Sequence, residues 1–201
     1  INMLIGFFMG ISTGAGVVIA QFFGAGDLSK MKKAIHNSIA LTLVIGVVLT
    51  VVGLVFNDPI LKAIGVPSDV FSEASTYLSI YFWSLIFVMI YNMGSGILRS
   101  VGDSKRPLYF LIFSSVINIV LDFLFVKNFG FGVAGAGYAT LIAQAISAIM
   151  VMYVLMKTED SYKVVLKDIK FDKEILLKII KIGLPTGFQQ SIVSLSNVIV
   201  Q

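Results

Sequence analysis

Residues 34–56, AIHNSIALTLVIGVVLTVVGLVF, run for 23 positions without an Asp, Glu, Lys or Arg. A helix needs about 20 mostly apolar residues to cross the hydrocarbon core of a bilayer, so this stretch predicts a membrane-spanning helix. Similar apolar stretches occupy residues 1–23, 74–98, 107–126, 133–156 and 182–201. The chain is therefore predicted to be an all-α, polytopic membrane protein with a bundle of about six transmembrane helices.

The composition supports this fold class. Hydrophobic residues make up 57% of the chain and charged residues 13%, whereas soluble domains are about 45–50% apolar and about 25% charged. There is no cysteine, which excludes disulfides and thiolate metal sites. The net charge of +4 reflects the position of the lysines relative to a membrane and predicts no nucleic-acid partner.

The basic residues predict the orientation of the helices, because Lys and Arg concentrate in cytoplasmic connections. Only Lys62 and Lys127 fall in the connections on one side. The other thirteen fall in three connections on the opposite side: Lys30, Lys32, Lys33, Arg99, Lys105, Arg106, Lys157, Lys163, Lys167, Lys170, Lys173, Lys178 and Lys181. These three connections are predicted to be cytoplasmic, and the first helix to run from outside to inside.

The third basic connection, residues 157–181, mixes apolar residues and lysines at helical spacing. This pattern predicts an amphipathic helix that lies along the inner membrane surface with its lysines among anionic headgroups. A solvated cytoplasmic linker is the alternative interpretation.

One acid, Asp122, lies inside the apolar stretch 107–126. An acid at bilayer depth costs about 2.5–3.5 kcal/mol, and such residues usually line a cavity or an ion path. Asn118 lies one helical turn before Asp122, and Ser115 lies a further turn back on the same face. Alternatively, Asp122 is an interfacial acid paired with Lys127, because it lies about 23 Å along the helix from Pro107.

Other polar and small residues inside the apolar stretches have less specific interpretations. Thr140 and Gln144 share a helix face, and they, like Asn92, could simply bond to a neighbouring helix. The single histidine, His36, cannot form a metal site alone and is expected at headgroup level. The four-residue spacing of Gly6, Gly10 and Gly14 predicts close helix packing. No HExxH, GxSxG or phosphate-loop motif occurs, so an enzyme is not predicted.

Five motifs along the chain are informative when taken together. They are AQFFGAGD at residues 20–27, ILRSVGDSKRP at 97–107, NIVLD at 118–122, GVAGAGYAT at 132–140 and GLP at 183–185. Together they resemble the family of multidrug and toxic compound extrusion (MATE) transporters. Each is weak alone, but they occur in family order and spacing over nearly the whole chain.

The resemblance implies a transporter of twelve helices in two six-helix lobes that works by alternating access. Residues 1–156 would form the N-terminal lobe without its first helix, and residues 157–181 the cytoplasmic link between the lobes. Residues 182–201 would begin the first helix of the second lobe. Both ends of the chain lie in apolar stretches, so we expect an internal piece of a longer protein.

The resemblance also implies a site. Asp122 and Asn118 match the family's fifth-helix pair, and Thr140 its sixth-helix partner, as a cation-coupling group with a possible Na+ at Asp122 and Asn118. The family's first-helix acid would lie upstream of residue 1. Candidate substrate-cavity residues are Asn92, Ser115 and Gln144.

The expected function is secondary active antiport, in which organic, cationic compounds leave the cell in exchange for Na+ or H+. No cofactor beyond the coupling ion is expected. The expected partners are small organic cations, the lipid bilayer and the second lobe, in a bacterial or archaeal cytoplasmic membrane. Two alternatives stay open: a lipid-linked sugar flippase of the same superfamily, which would line its cavity with cations, and a non-transporting membrane scaffold.

Overall fold

A computed structural model describes residues 2–200 of the chain and the side chains of residues 6–193. The described part contains helices and no strands: α1 (Asn2–Gly24), α2 (Leu28–Val55), α3 (Asn57–Ala63), α4 (Phe71–Ser100), α5 (Lys105–Asp122), α6 (Gly132–Lys157) and α7 (Lys173–Val200). A π-helical turn (Phe123–Asn128) continues α5, and a 3₁₀ turn (Leu166–Asp168) lies between α6 and α7. The predicted all-α architecture is confirmed.

Among the described residues, five helical stretches are long and apolar enough to cross a membrane: Gly6–Gly24, Leu28–Val55, Phe71–Ser100, Lys105–Asn128 and Gly132–Lys157. Each overlaps one of the first five predicted stretches. A bilayer offers no water to the backbone, so an apolar segment must bond its own N–H and C=O groups as a helix. The sixth predicted stretch, residues 182–201, falls in α7, apart from its last residue, which lies outside the described residues.

The short helix α3 was not predicted, because Asn57-Asp58-Pro59 is typical of a turn. Pro59 lies in the first turn of α3, where the missing N–H has no partner to lose. The Asn57 amide donates to the carbonyl oxygen of Ser75 over 2.9 Å and to the hydroxyl of Ser79 over 2.7 Å. These bonds hold α3 against α4.

The prediction of an amphipathic helix over residues 157–181 is wrong for its first part. Between α6 and α7 the chain is irregular apart from the 3₁₀ turn, and α7 begins at Lys173 and continues through Pro185 to Val200. The start is set by Asp172, whose Oδ1 accepts the N–H groups of Glu174 over 3.1 Å and Ile175 over 3.3 Å, as a helix-capping acid does. The assignment of these residues to a link and a second lobe stays a prediction.

The chain forms two compact units, of which the first comprises residues 1–42, 92–107 and 151–201. In this unit α1 packs against α7 through glycines on both helices. A Cβ built on Gly14 would lie 2.5 Å from the Cα of Gly183, and one built on Gly10 would collide with the backbone of Gly187. The close packing predicted for Gly10 and Gly14 is therefore confirmed, since only glycines allow this approach.

Two neighbouring residues of α2 hold the segment between α6 and α7, which comprises residues 158–172. His36 accepts the N–H of Val165 over 3.0 Å, and the Asn37 amide donates to the carbonyl oxygen of Asp172 over 2.7 Å. His36 is 5% exposed, and its Nδ1 lies 2.7 Å from the carbonyl oxygen of Lys32. The expected headgroup-level position of His36 stays a prediction, but its burial and its bond to a backbone N–H far along the chain were not predicted.

The second unit comprises residues 43–91 and 108–150. Glycines of α2 again allow close packing, here against α4: a Cβ on Gly46 would lie 3.1 Å from Cγ1 of Ile86. At the other end of the unit, α6 approaches the π turn at Gly135, where a Cβ would lie 3.1 Å from the Cβ of Phe125. The turn that follows Asp122 is thus packed against α6.

Candidate cation site

Asp122 is the last α-helical residue before the π turn. It keeps helical backbone angles, φ −56° and ψ −49°, and the wider hydrogen-bond pattern follows it. In that turn the N–H of Phe129 bonds to the carbonyl oxygen of Leu124, five residues back, over 3.0 Å. Single π turns are rare inside helices and frequently lie at functional sites. The backbone is therefore irregular at the position of the intramembrane acid.

Asn118 and Asp122 present unsatisfied polar atoms one helical turn apart. Both residues are half-buried. The Oδ1 of Asp122 and the Nδ2 of Asn118 are enclosed, and neither has a hydrogen-bond partner in the described part of the chain. A buried polar group without a partner costs about 1–3 kcal/mol, and more when it is charged. A ligand that binds to these two atoms would satisfy them and remove this cost.

The chemistry of this pair suits a small cation. A carboxylate oxygen accepts only, and a half-turn of the Asn118 amide about χ2 exchanges its Nδ2 for Oδ1. In that rotamer the pair would offer two oxygen ligands, one from the Asp122 carboxyl group and one from the Asn118 amide. Oxygen ligands are those that hard cations take in proteins.

Lys127 does not neutralise Asp122. Its ammonium lies over the ring of Phe123, 4.7 Å from the centroid. None of the ion pairs among the described residues joins Lys127 to Asp122. The alternative of an interfacial acid paired with this lysine therefore lacks the contact it requires.

The other residues predicted for the cation site and the cavity have no hydrogen bond to Asn118 or Asp122 among the described residues. Thr140 and Gln144 are half-buried on α6 in the same unit. No hydrogen bond between described side chains links Thr140 to Asn118 or Asp122. Ser115 is exposed, so it is not enclosed as the polar atoms of the pair are.

Asn92 belongs to a separate cavity in the first unit, between α1 and α4, with a volume of about 320 Å³. Its polar lining comprises Ser12, Thr13, Asn92, Arg99 and Ser100. The hydroxyl of Ser12 is buried and, within the described residues, has no hydrogen-bond partner. Arg99, in the last turn of α4, gives this cavity a positive charge. From the sequence it was placed in a cytoplasmic connection, and its position in the lining of a cavity was not predicted.

Comparison with known proteins identifies a matching family and similar chains. The MatE family model matches residues 1–124, a range that includes Asn118 and Asp122. A probable multidrug resistance protein of Bacillus subtilis, YoeA, is 35% identical over 205 residues, covering 98% of this chain and 44% of its own length.

Two solved structures of a multidrug resistance MATE family transporter of the MOP superfamily are also similar. Both are 31% identical and cover 94% of this chain. The inward-facing conformation gives a TM-score of 0.87 over 43% of that protein. The outward-facing one gives 0.86 over 42%. The chain spans less than half the length of these relatives.

Proposed function

The chain belongs to the MatE family, and from this premise we propose that it is part of a secondary active antiporter that exports organic compounds in exchange for Na+ or H+. The proposal rests on one observation above all: the enclosed Oδ1 of Asp122 has no partner among the described residues. Intramembrane acids without a structural partner are typical of ion and proton pathways. The names of the relatives, as multidrug proteins, support the export of drugs.

In the proposed mechanism Asp122 alternates between an ion-bound and an ion-free state. The bound cation cancels the charge of the carboxylate, and the Asn118 amide, with Thr140, adds neutral oxygen atoms. Occupancy shifts a transporter between two conformations only if the ion binds them with different affinity. The π turn that begins at Phe123 is where the helix can change its hydrogen bonds most readily, because its backbone is already irregular.

The two candidate ions make different demands on the site. A proton needs only the Asp122 carboxylate. Na+ needs several oxygens at once, so it depends on Asn118, on Thr140 and on water or residues upstream of this sequence. Residues of the family's first helix, which the resemblance places before residue 1, would complete the set.

The proposed substrates are organic cations. An anionic substrate, as for a lipid-linked sugar flippase, is the second candidate because Arg99 lines the cavity of the first unit. A bacterial cell membrane is the proposed location, in keeping with the Bacillus relative and the apolar helices.

A flux assay on the full-length protein in proteoliposomes tests this function. With an imposed Na+ or pH gradient, we expect a fluorescent organic cation to move against the ion flow, and a labelled lipid-linked anion not to move. Gradient-independent transport of the anion alone would favour the flippase. The absence of any flux, with the protein folded and correctly inserted, would favour the scaffold.

A further inference from the structure

A second polar pocket lies near the start of α2, away from Asp122 in the chain and within the first unit. Its volume is about 390 Å³. One wall is a single face of the first turns of α2, formed by Ser29, Lys32, Lys33 and His36. The opposite wall comes from the segment before α7 and consists of Asp168, Lys170, Phe171 and Asp172.

The pocket is held in shape by hydrogen bonds on both sides of its second wall. Val165 is fixed to His36, and the carbonyl oxygen of Asp172 is fixed to Asn37. Both α2 residues are buried. The second wall is therefore attached to α2 at two points, so these hydrogen bonds fix the shape of the pocket.

The charges of the lining residues leave an excess of one positive charge. Three ammonium groups, on Lys32, Lys33 and Lys170, face two carboxylates. One carboxylate, on Asp172, is already engaged, because its Oδ1 caps α7 and its Oδ2 lies 3.7 Å from Lys33. Lys32 and Lys170 are exposed and form no ion pair among the described residues.

The residues around the pocket suit a position at a membrane surface. The predicted orientation places the start of α2 at the cytoplasmic end of a membrane-spanning helix. Two apolar side chains of the same segment are largely exposed, Leu166 at 62% and Phe171 at 48%. Lys163, Lys167 and Lys173 lie in or beside this segment. Apolar side chains among lysines are typical of segments that rest on anionic lipid.

We propose that this pocket binds the phosphate group of an anionic phospholipid from the cytoplasmic leaflet. Lys32 and Lys170 contact the phosphate, and Phe171 contacts the start of the acyl chains. A phosphodiester carries one negative charge, which matches the excess charge of the lining. Basic pockets beside membrane helices on the cytoplasmic side bind lipid headgroups in this way.

Native mass spectrometry of the delipidated full-length protein, titrated with phosphatidylglycerol, phosphatidylcholine or inorganic phosphate, tests the proposal. We expect phosphatidylglycerol to bind more tightly than phosphatidylcholine. The double variant Lys32→Ala/Lys170→Ala should lower its affinity by on the order of tenfold. The variant Lys32→Arg/Lys170→Arg should retain the affinity, since it keeps both charges.

The matched control is Lys105→Ala/Lys181→Ala, which removes two exposed positive charges that do not line the pocket and form no ion pair among the described residues. Its affinity for phosphatidylglycerol should stay within about twofold of the wild type, because neither lysine faces the lipid phosphate. An equal loss in both double variants would mean that general surface charge attracts the lipid, and would overturn the pocket. Binding of inorganic phosphate with no preference for the anionic lipid would overturn the lipid assignment. Thermal unfolding of each variant shows whether the protein is folded.

Discussion

The backbone N–H of Val165 donates to Nε2 of His36 across 3.0 Å, although 129 positions separate the two residues. Because Nε2 accepts, the ring proton is on Nδ1, which donates to the carbonyl oxygen of Lys32. The imidazole thus bridges the start of α2 and the segment before α7. This bridge, with the neighbouring bond from Asn37 to Asp172, shapes the basic pocket.

Replacement of His36 by Ala should loosen the segment that comprises residues 158–172. The N–H of Val165 would lose its acceptor, and a hydrogen bond of this kind contributes about 0.5–1.5 kcal/mol. Hydrogen exchange measured by mass spectrometry should become faster in peptides of this segment and stay unchanged in α4. His36→Gln, which keeps an acceptor on the side chain, is the matched control. Unchanged exchange in the Ala variant would show that the bridge contributes nothing.

Replacement of Gly14 by Ala should destabilise the contact between α1 and α7. Its new methyl group would meet the Gly183 backbone at 2.5 Å, so the helices would have to move apart. Overpacking of this kind costs about 1–3 kcal/mol. We expect a lower midpoint of thermal unfolding for the full-length protein in detergent.

Gly24→Ala is the control for this prediction. Gly24 ends the same helix, and a methyl group there meets no atom within 4 Å. Its midpoint should equal or exceed that of the wild type, because Ala favours helix more than Gly does. If Gly14→Ala and Gly24→Ala unfold at the same temperature, the close contact between Gly14 and Gly183 does not contribute to the stability of the protein.

The helices could be predicted from sequence, because a bilayer forces long apolar segments into helices regardless of their detailed packing. The short helix α3 was missed because Pro59 is equally compatible with a turn and with the first turn of a helix. The amphipathic helix was predicted to begin too early, at Lys157, because no local pattern shows that residues 158–172 bond to α2 instead. At helix boundaries such as these, the same residues are compatible with both a turn and a helix.

The candidate site could be predicted only in part. The spacing of Asn118 and Asp122 on one helix fixes their proximity, so the sequence was sufficient for this pair. The π turn after Asp122 has no sequence signature of comparable strength. The burial of His36 depends on a partner 129 positions away, and no local pattern shows such a contact.

Replacement of Asn118 by Ala should distinguish the two coupling ions. If Na+ is the coupling ion, the variant loses an oxygen ligand, and its apparent affinity for Na+ should fall by on the order of tenfold or more, as expected for the loss of a charge-assisted interaction. If H+ is the coupling ion, transport driven by a pH gradient should persist, because Asp122 alone carries the proton. Export should be measured over a range of Na+ concentrations at fixed pH, and over a range of pH without Na+.

Wild-type behaviour of Asn118→Ala under both gradients would exclude a role for this amide in ion binding. Ser115→Ala is the control, because Ser115 lies on the same helix but is exposed. It should leave the dependence on both ions unchanged.

The most direct test of the proposed coupling is the export of a fluorescent organic cation by full-length Asp122→Asn in proteoliposomes under an imposed Na+ or pH gradient. The change keeps the size of the side chain and removes its charge, so we expect normal insertion and loss of gradient-driven export. Asp69→Asn, which alters an exposed acid outside the predicted spans, should transport like the wild type. Full gradient-driven export by Asp122→Asn would contradict the assignment of this carboxylate as the coupling group.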